Sequence, residues 1–137
     1  MKLLLVHNNV SPNAPPDEAD VLVQAEAIGS SLESLGHQVT QFSCGMNLEE
    51  LETALTALRP DAVINLVESL GGQGRLIPLV PATLEARGMP FTGCPADAVY
   101  LTSHKTLAKT LLHQAGLPTA PWVTGGPWEG LSSHTGP

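Results

Sequence analysis

Six cationic side chains stand against thirteen carboxylates in the 137 residues, so a lysine aimed at an anion stands out. Lys105 is one candidate. A flexible ammonium is a common partner for phosphate, and the alternative is a solvated lysine on a helix. Lys109, one helical turn on, reads as a surface charge. Glu68 follows directly on the strongest apolar run, Asp61 to Val67. It is either a site carboxylate or a loop acid paired with Arg75. Glu18 stands between Asp17 and Asp20, where a helical pattern begins. A carboxylate there can pair with an ammonium group or simply complement the helix dipole. Gly71, Gly72 and Gly74 could turn backbone N–H groups toward an anion. No Walker lysine follows, so the segment is not a P-loop, and the alternative is a flexible loop. His7 ends a short apolar run and reads as a cleft residue or a hydrogen-bonded loop histidine. Cys44 and Cys94 lie far apart and outside any CxxC pair, which argues against zinc and for reduced thiols. Cys94 is expected to be packed and unreactive.

The elements that must position these groups follow from periodicity. Lys2 to Val6 is a short apolar run that a Pro- and Asn-rich loop ends by Pro16. Leu22, Ala25, Ile28, Leu32 and Leu35 recur at helical spacing and predict one apolar face. Gly36 stops that helix, and Val39 to Phe42 alternates like a strand. Asn47 opens the next helix, with Glu50 three residues on as a capping-box signal. Leu48, Leu51, Leu55 and Leu58 form its stripe, and Pro60 ends it. Ala62 to Leu66 is apolar on both faces and predicts a central parallel strand under helices on two sides. Leu76, Val80 and Leu84 predict a further helix. Pro78 fits its first turn, and Pro81 would kink it from any deeper position. Met89 to Gly93 reads as a strand and turn, Ala96 to Leu101 as one or two helical turns. Ser103 is read as the cap of a helix that carries Leu107, Leu111 and Leu112 and stops at Gly116. Thr119 to Val123 is read as a last strand. Strands alternating with helices predict an α/β fold with a doubly wound parallel sheet. Ligands then belong at the carboxyl ends of the strands, which are His7 to Pro16, Val67 to Arg75 and the Gly93 region.

Bulk properties bound the function. The length suits one domain. The net charge of −7 argues against a nucleic-acid surface, which needs clustered Lys and Arg. The apolar start breaks at His7-Asn8-Asn9, too short for a signal peptide, and no run is long enough to span a membrane. A soluble cytoplasmic protein is expected.

Three pieces in order carry a resemblance. They are Asn65-Leu66-Val67-Glu68 before a Gly-rich loop; Gly88-Met89-Pro90-Phe91-Thr92-Gly93; and Lys105-Thr106-Leu107-Ala108-Lys109 followed by Ala115-Gly116-Leu117-Pro118-Thr119-Ala120-Pro121-Trp122. In this order and spacing the chain resembles the N-terminal, pre-ATP-grasp domain of D-alanine–D-alanine ligase-like ATP-grasp enzymes, a Rossmann-like fold. The likeness covers almost the whole chain but less than half of a family enzyme. It implies a pre-ATP-grasp domain over residues 1–124. Residues 125–137 then form a linker or the start of the central ATP-grasp domain.

The resemblance implies roles. Glu18 matches the glutamate that contacts the ammonium of the first substrate, although the Pro-rich loop before it replaces the family's Gly-Gly-x-Ser. Lys105 matches a lysine that reaches an ATP phosphate, with His104 where many ligases carry Asp. Glu68 lies near the position of a His-Gly pair that helps hold a substrate carboxylate. An anion there would repel that carboxylate, which implies another amino acid or a peptide-like amine as substrate. The implied reaction joins a carboxylate to an amine through an acyl phosphate, with ATP and Mg2+ bound mainly by further domains supplied in cis or in trans. This chain alone is expected to be silent, to carry no metal site and to bind no cofactor tightly. A homodimer is among the expected assemblies. Two rivals are a flavodoxin-like binding module and an interaction domain, one half of a split ligase. A receiver domain would need acids where His7-Asn8-Asn9 and Val67-Glu68 stand.

Overall fold

The computed structural model describes residues 1–123, apart from the side chains of Asp17 and Glu18. The linker reading of residues 125–137 lies outside the described residues. Three strands, β1 (Lys2–Asn8), β2 (Gln38–Cys44) and β3 (Ala62–Leu66), pair in parallel in the order β2-β1-β3. Five α-helices accompany them: α1 (Pro16–Ser34), α2 (Leu48–Leu58), α3 (Leu79–Ala86), α4 (Ala96–Ser103) and α5 (Lys105–Gln114). A 3-10 turn at Gly74–Leu76 precedes α3. The fold is α/β with a parallel sheet, as the alternation of elements predicts.

The central strand is β1, not Ala62–Leu66. Leu4, Leu5 and Val6 are fully buried. Side chains alternate across a strand, so Leu4 and Val6 share one face. There they join Leu51 and Leu55 of α2, Val80 and Leu84 of α3, and Val63 of β3 in a single core. The opposite face of β1 and β2 is covered by α1, which buries Val21 and Ala25. On that face Ala62, Ile64 and Leu66 of β3 are only half-buried, so full cover on both sides belongs to β1. Beyond β3 the expected fourth strand shrinks to one bridge, Val63 to Phe91. Val63 N–H donates to the Pro90 carbonyl at 2.9 Å, and Thr92 N–H donates to the Val63 carbonyl at 3.0 Å. A proline on one side and Gly93, at φ +106°, on the other limit the pairing to that point.

Helix faces follow close packing rather than apolar count. In α1 the inward residues are Val21, Ala25, Ile28 and Leu32, whereas Leu22 and Leu35 are exposed. The helix sits close to β2: a Cβ on Gly29 would lie 3.3 Å from Gln41 Nε2. Asn47 caps α2 by accepting from Glu49 N–H at 3.2 Å, while its amide donates to Glu50 Oε1 at 3.1 Å. Glu50 therefore braces the cap side chain, a variant of the reciprocal capping box. Leu58 is exposed, because Arg59 turns into the left-handed region at φ 46° just before Pro60. Pro78 caps α3 and Pro81 falls in its first turn, where no intrahelical donor is needed, so no kink arises.

Two further expectations are corrected. Ser103 closes α4, with its hydroxyl on the Tyr100 carbonyl at 3.4 Å, and α5 starts from His104 with no side-chain cap. Residues 119–123 form no strand; polar contacts from α5 hold them instead.

Candidate functional site

Parallel strands end together, so the loops after β1 and β3 meet at one edge of the sheet. The polar end of β1 is built in firmly. His7 and Asn8 are the buried polar residues among the described ones, at 7% and 8% exposure. His7 Nδ1 lies 3.0 Å from the Asn8 carbonyl. A carbonyl only accepts, so Nδ1 carries the proton and Nε2 keeps its lone pair in the neutral ring. Asn8 Oδ1 accepts from Glu68 N–H at 3.4 Å, which ties the end of β1 to the loop after β3. Asn65 Oδ1 accepts from Val67 N–H at 3.2 Å, and Asn65 N–H donates to Thr92 Oγ1 at 3.0 Å. On the other side Asn9 N–H donates to the Cys44 carbonyl at 2.9 Å, and Ser43 Oγ donates to Asn9 Oδ1 at 3.3 Å. Three asparagines thus lock the edge. The sequence reading missed Asn8 and Asn65 as positioning residues. The available signal was an amide side chain at the end of each apolar run.

Glu68 is exposed at this edge, and among the described residues it makes no ion pair. Arg75 is not its partner: Nε and a terminal guanidinium nitrogen donate to Gln73 Oε1 at 3.2 and 2.9 Å. Glu18 stands in the first turn of α1, the helix that follows the β1 loop, so its backbone shares this end of the fold with Glu68. Lys105 is the first residue of α5. It is exposed, and among the described residues no hydrogen bond or ion pair holds it. Its helix packs on α4, which in turn meets α3 and the 3-10 turn of the loop after β3.

The glycine-rich loop has a definite shape. Leu70 and Gln73 exchange backbone hydrogen bonds, 3.0 Å from Gln73 N–H and 3.4 Å from Leu70 N–H. Between them Gly71 and Gly72 have φ of 56° and 72°. Two positive φ values in a two-residue turn define type I′, which selects Gly-Gly. A Cβ on Gly71 would also approach Met46 Cγ to 2.9 Å. These glycines serve a tight turn rather than a flexible loop or an anion cradle.

The packed position expected for Cys94 is corrected. Cys94 is exposed, while Cys44 is buried. Burial, reinforced by the Glu50 carboxylate, pushes the Cys44 thiol up to about 11. Lys109 is no loose surface charge either. Its Nζ donates to the Ala120 carbonyl at 2.8 Å and to Thr119 Oγ1 at 3.3 Å, and it lies 5.9 Å from the centre of the Trp122 ring system. Among the described residues no three His, Cys, Asp or Glu side chains gather to hold a metal ion. No described helix is long and apolar enough to cross a membrane.

No family model matches the chain. Curated relatives do. The D-alanine–D-alanine ligase of Oleidesulfovibrio alaskensis is 36% identical over 135 residues, 94% of this chain and 41% of the relative. That of Desulfovibrio desulfuricans is 35% identical over 89% of this chain and 37% of its own length. That of Moorella thermoacetica is 31% identical over the same shares, 89% and 37%. The chain thus spans about two-fifths of the length of these relatives. Among solved structures, the D-alanine–D-alanine ligase of Bacillus anthracis complexed with ATP superposes with a TM-score of 0.68 at 16% identity, covering 94% of this chain and 40% of that one. A second structure of that ligase gives 0.66. Along nearly its whole length the chain is thus similar to one part of D-alanine–D-alanine ligases, and it shares the fold of that part.

Proposed function

We propose that this chain is the substrate-side domain of an ATP-dependent carboxylate–amine ligase. The observation that carries the reading is the 31–36% identity to D-alanine–D-alanine ligases along about nine-tenths of the chain or more. In the proposed reaction ATP converts a substrate carboxylate to an acyl phosphate, and the amine of a second substrate attacks it. Binding, orientation and charge placement are the tasks left to this domain. Glu18, in the first turn of α1, pairs with the ammonium of the first substrate. Asn8 and Asn65 fix the backbone around Glu68, which faces the incoming group. A carboxylate at that point repels a second carboxylate and favours a cationic or amine-bearing group. The substrate class is therefore an amino acid other than D-alanine or a peptide-like amine.

Lys105 fits a phosphate. It is exposed and unpaired among the described residues, and it starts a helix whose first N–H groups carry partial positive charge. The donors for Mg2+ are proposed to come from the ATP-grasp domains. ATP-grasp domains, joined in cis or in trans, complete the proposed enzyme, and the cytoplasm is its proposed location. The chain by itself is proposed to be silent.

The test uses phosphate release. The chain with ATP, Mg2+ and amino acids should give none above background. The same chain fused in place of the corresponding region of the Oleidesulfovibrio alaskensis ligase should restore amine-dependent release. Lys105→Ala in that fusion should weaken ATP by about tenfold to a hundredfold, since a charge-assisted contact contributes about 1.5–3 kcal/mol. Turnover by the chain alone, or unchanged ATP affinity in the variant, rejects the corresponding part of the reading.

A further inference from the structure

The outer edge of β2 is open. β2 ends the sheet and pairs with β1 along all seven of its residues. Gln38 N–H donates to Met1 O, and Cys44 O accepts from Asn9 N–H. In a parallel ladder alternate residues bond to the same neighbour, so the N–H and C=O of Val39, Gln41 and Ser43 face outward. Natural edges are usually blunted by lysine, proline or a bulge. β2 reads Gln38-Val39-Thr40-Gln41-Phe42-Ser43-Cys44, with no charge and no proline, and its register runs unbroken.

Beside this edge, on the α2 face, lie two adjoining hollows. One, of about 330 Å3, is lined by Lys2, Thr40, Ala57 and Pro60. The other, of about 480 Å3, is lined by Phe42, Ala54 and Ala57, with Glu49 and Glu50 at its rim. Ala57 belongs to both, so they form one furrow parallel to the strand. Small residues on α2 leave it room, and Phe42 gives it an apolar floor. Among the described residues neither Glu49 nor Glu50 has an ion-pair partner.

We propose that β2 and this furrow form a docking surface for an extended segment of a partner protein, added as a fourth strand. Backbone groups of Val39, Gln41 and Ser43 supply the pairing. Alternate side chains of the guest enter the furrow, and a basic side chain stands over Glu49 and Glu50. Charge decides the occupant. A second copy of this chain would bring another net charge of −7 and a second Glu49–Glu50 pair to the same face, whereas a basic strand neutralises the rim.

The probe is an acetylated, amidated heptapeptide, Lys-Thr-Val-Thr-Val-Thr-Ser, titrated into the full chain at low salt and followed by backbone NMR. Amides of Val39, Gln41 and Ser43 should shift and gain protection from hydrogen exchange. N-methylation at alternate residues of the peptide should weaken binding at least tenfold, since it removes the ladder donors. The Glu49→Gln, Glu50→Gln variant should weaken it about fivefold, and Glu in place of the peptide's Lys should do the same or more. Glutamine keeps the brace to Asn47, so the cap of α2 survives. Shifts confined to other residues, equal binding of the N-methylated peptide, or a peptide-free dimer joined through β2 would each overturn the proposal.

Discussion

Two parts of the molecule are held by different means. From β1 to α3, apolar side chains close over the sheet: Leu4, Leu51, Val63, Val80 and Leu84 have no exposed surface. From α4 onward no described helix residue is buried, and Tyr100, Leu101, Leu111, Leu112 and Leu117 are each more than a third exposed. Polar tethers take over there. Glu85 Oε1 accepts from Ala96 N–H at the start of α4 at 3.0 Å, and Lys109 holds residues 119 and 120. Dispersion and desolvation fix the first part cooperatively, while the second rests on single contacts to exposed groups, each of modest net worth. A frame of the first kind can present strand ends rigidly. A pair of helices held by the second kind can be repositioned by whatever covers them.

The largest expected effect lies in the frame. Leu84→Ala or Leu55→Ala empties a fully packed site and should cost about 2–5 kcal/mol, read as a shift in the urea midpoint. Leu111→Ala, at 40% exposure, should cost under about 1 kcal/mol. Equal losses at Leu84 and Leu111 would erase the distinction between the two parts.

The same contrast explains what the sequence could reveal. β1 to β3, α2 and α3 were legible because their burial leaves a period: Leu51 and Leu55 a turn apart, Val63 in a continuous apolar run. The order of strands was not. Ala62–Leu66 looks more apolar than Lys2–Asn8, but centrality depends on which neighbours pair, and that is decided by the crossovers. Around the site, exposure was the obstacle. Charge and position along the chain do not tell a tethered lysine from a free one, so Lys109 was read as surface charge although it is bonded to Ala120. The reading that pairs Arg75 with Glu68 rests on charge alone, whereas Arg75 donates to the nearby Gln73 side chain. Cys94, expected to be packed in place of a small residue after a tight turn, is exposed.

The cysteines divide between the two parts and give a pH test. Cys44 lies in the frame, and its thiol is raised from the ordinary 9.0 to about 11. The folded state therefore holds a proton that the unfolded state releases between those values. Stability from this group is complete below pH 9 and is lost as pH rises toward 11, by an amount on the order of 2 kcal/mol. Cys94→Ser should leave that loss intact, and Cys44→Ala should remove it. In native protein at pH 8, iodoacetamide should label Cys94 and spare Cys44, because both burial and the scarcity of thiolate protect the latter. Labelling of both at similar rates would place Cys44 outside the frame.

Lys109→Ala should cost about 1 kcal/mol, the loss of an exposed charge-assisted contact. Its signature is local: amides of residues 117–122 should exchange faster while those of β1 keep their protection. Uniform loss across both parts would mean that α5 is fused to the frame after all.

Lys105→Ala should have the smallest effect on stability, and its sign is informative. Lys105 is the first residue of α5, where a cation opposes the positive end of the helix dipole. Alanine has the best helix propensity, and no described partner is lost. The variant should therefore melt at the same temperature or slightly higher, by roughly 0.3–1 kcal/mol. A lysine placed for structure would give the opposite sign, as Lys109 should. In the proposed role an anion would be drawn by the ammonium and the free N–H groups together. Thermal melts of the two lysine variants side by side, repeated with ATP added to the ligase fusion, separate the alternatives. A drop in melting temperature for Lys105→Ala that matches Lys109→Ala, with ATP-dependent stabilisation unchanged, would make Lys105 one more tether.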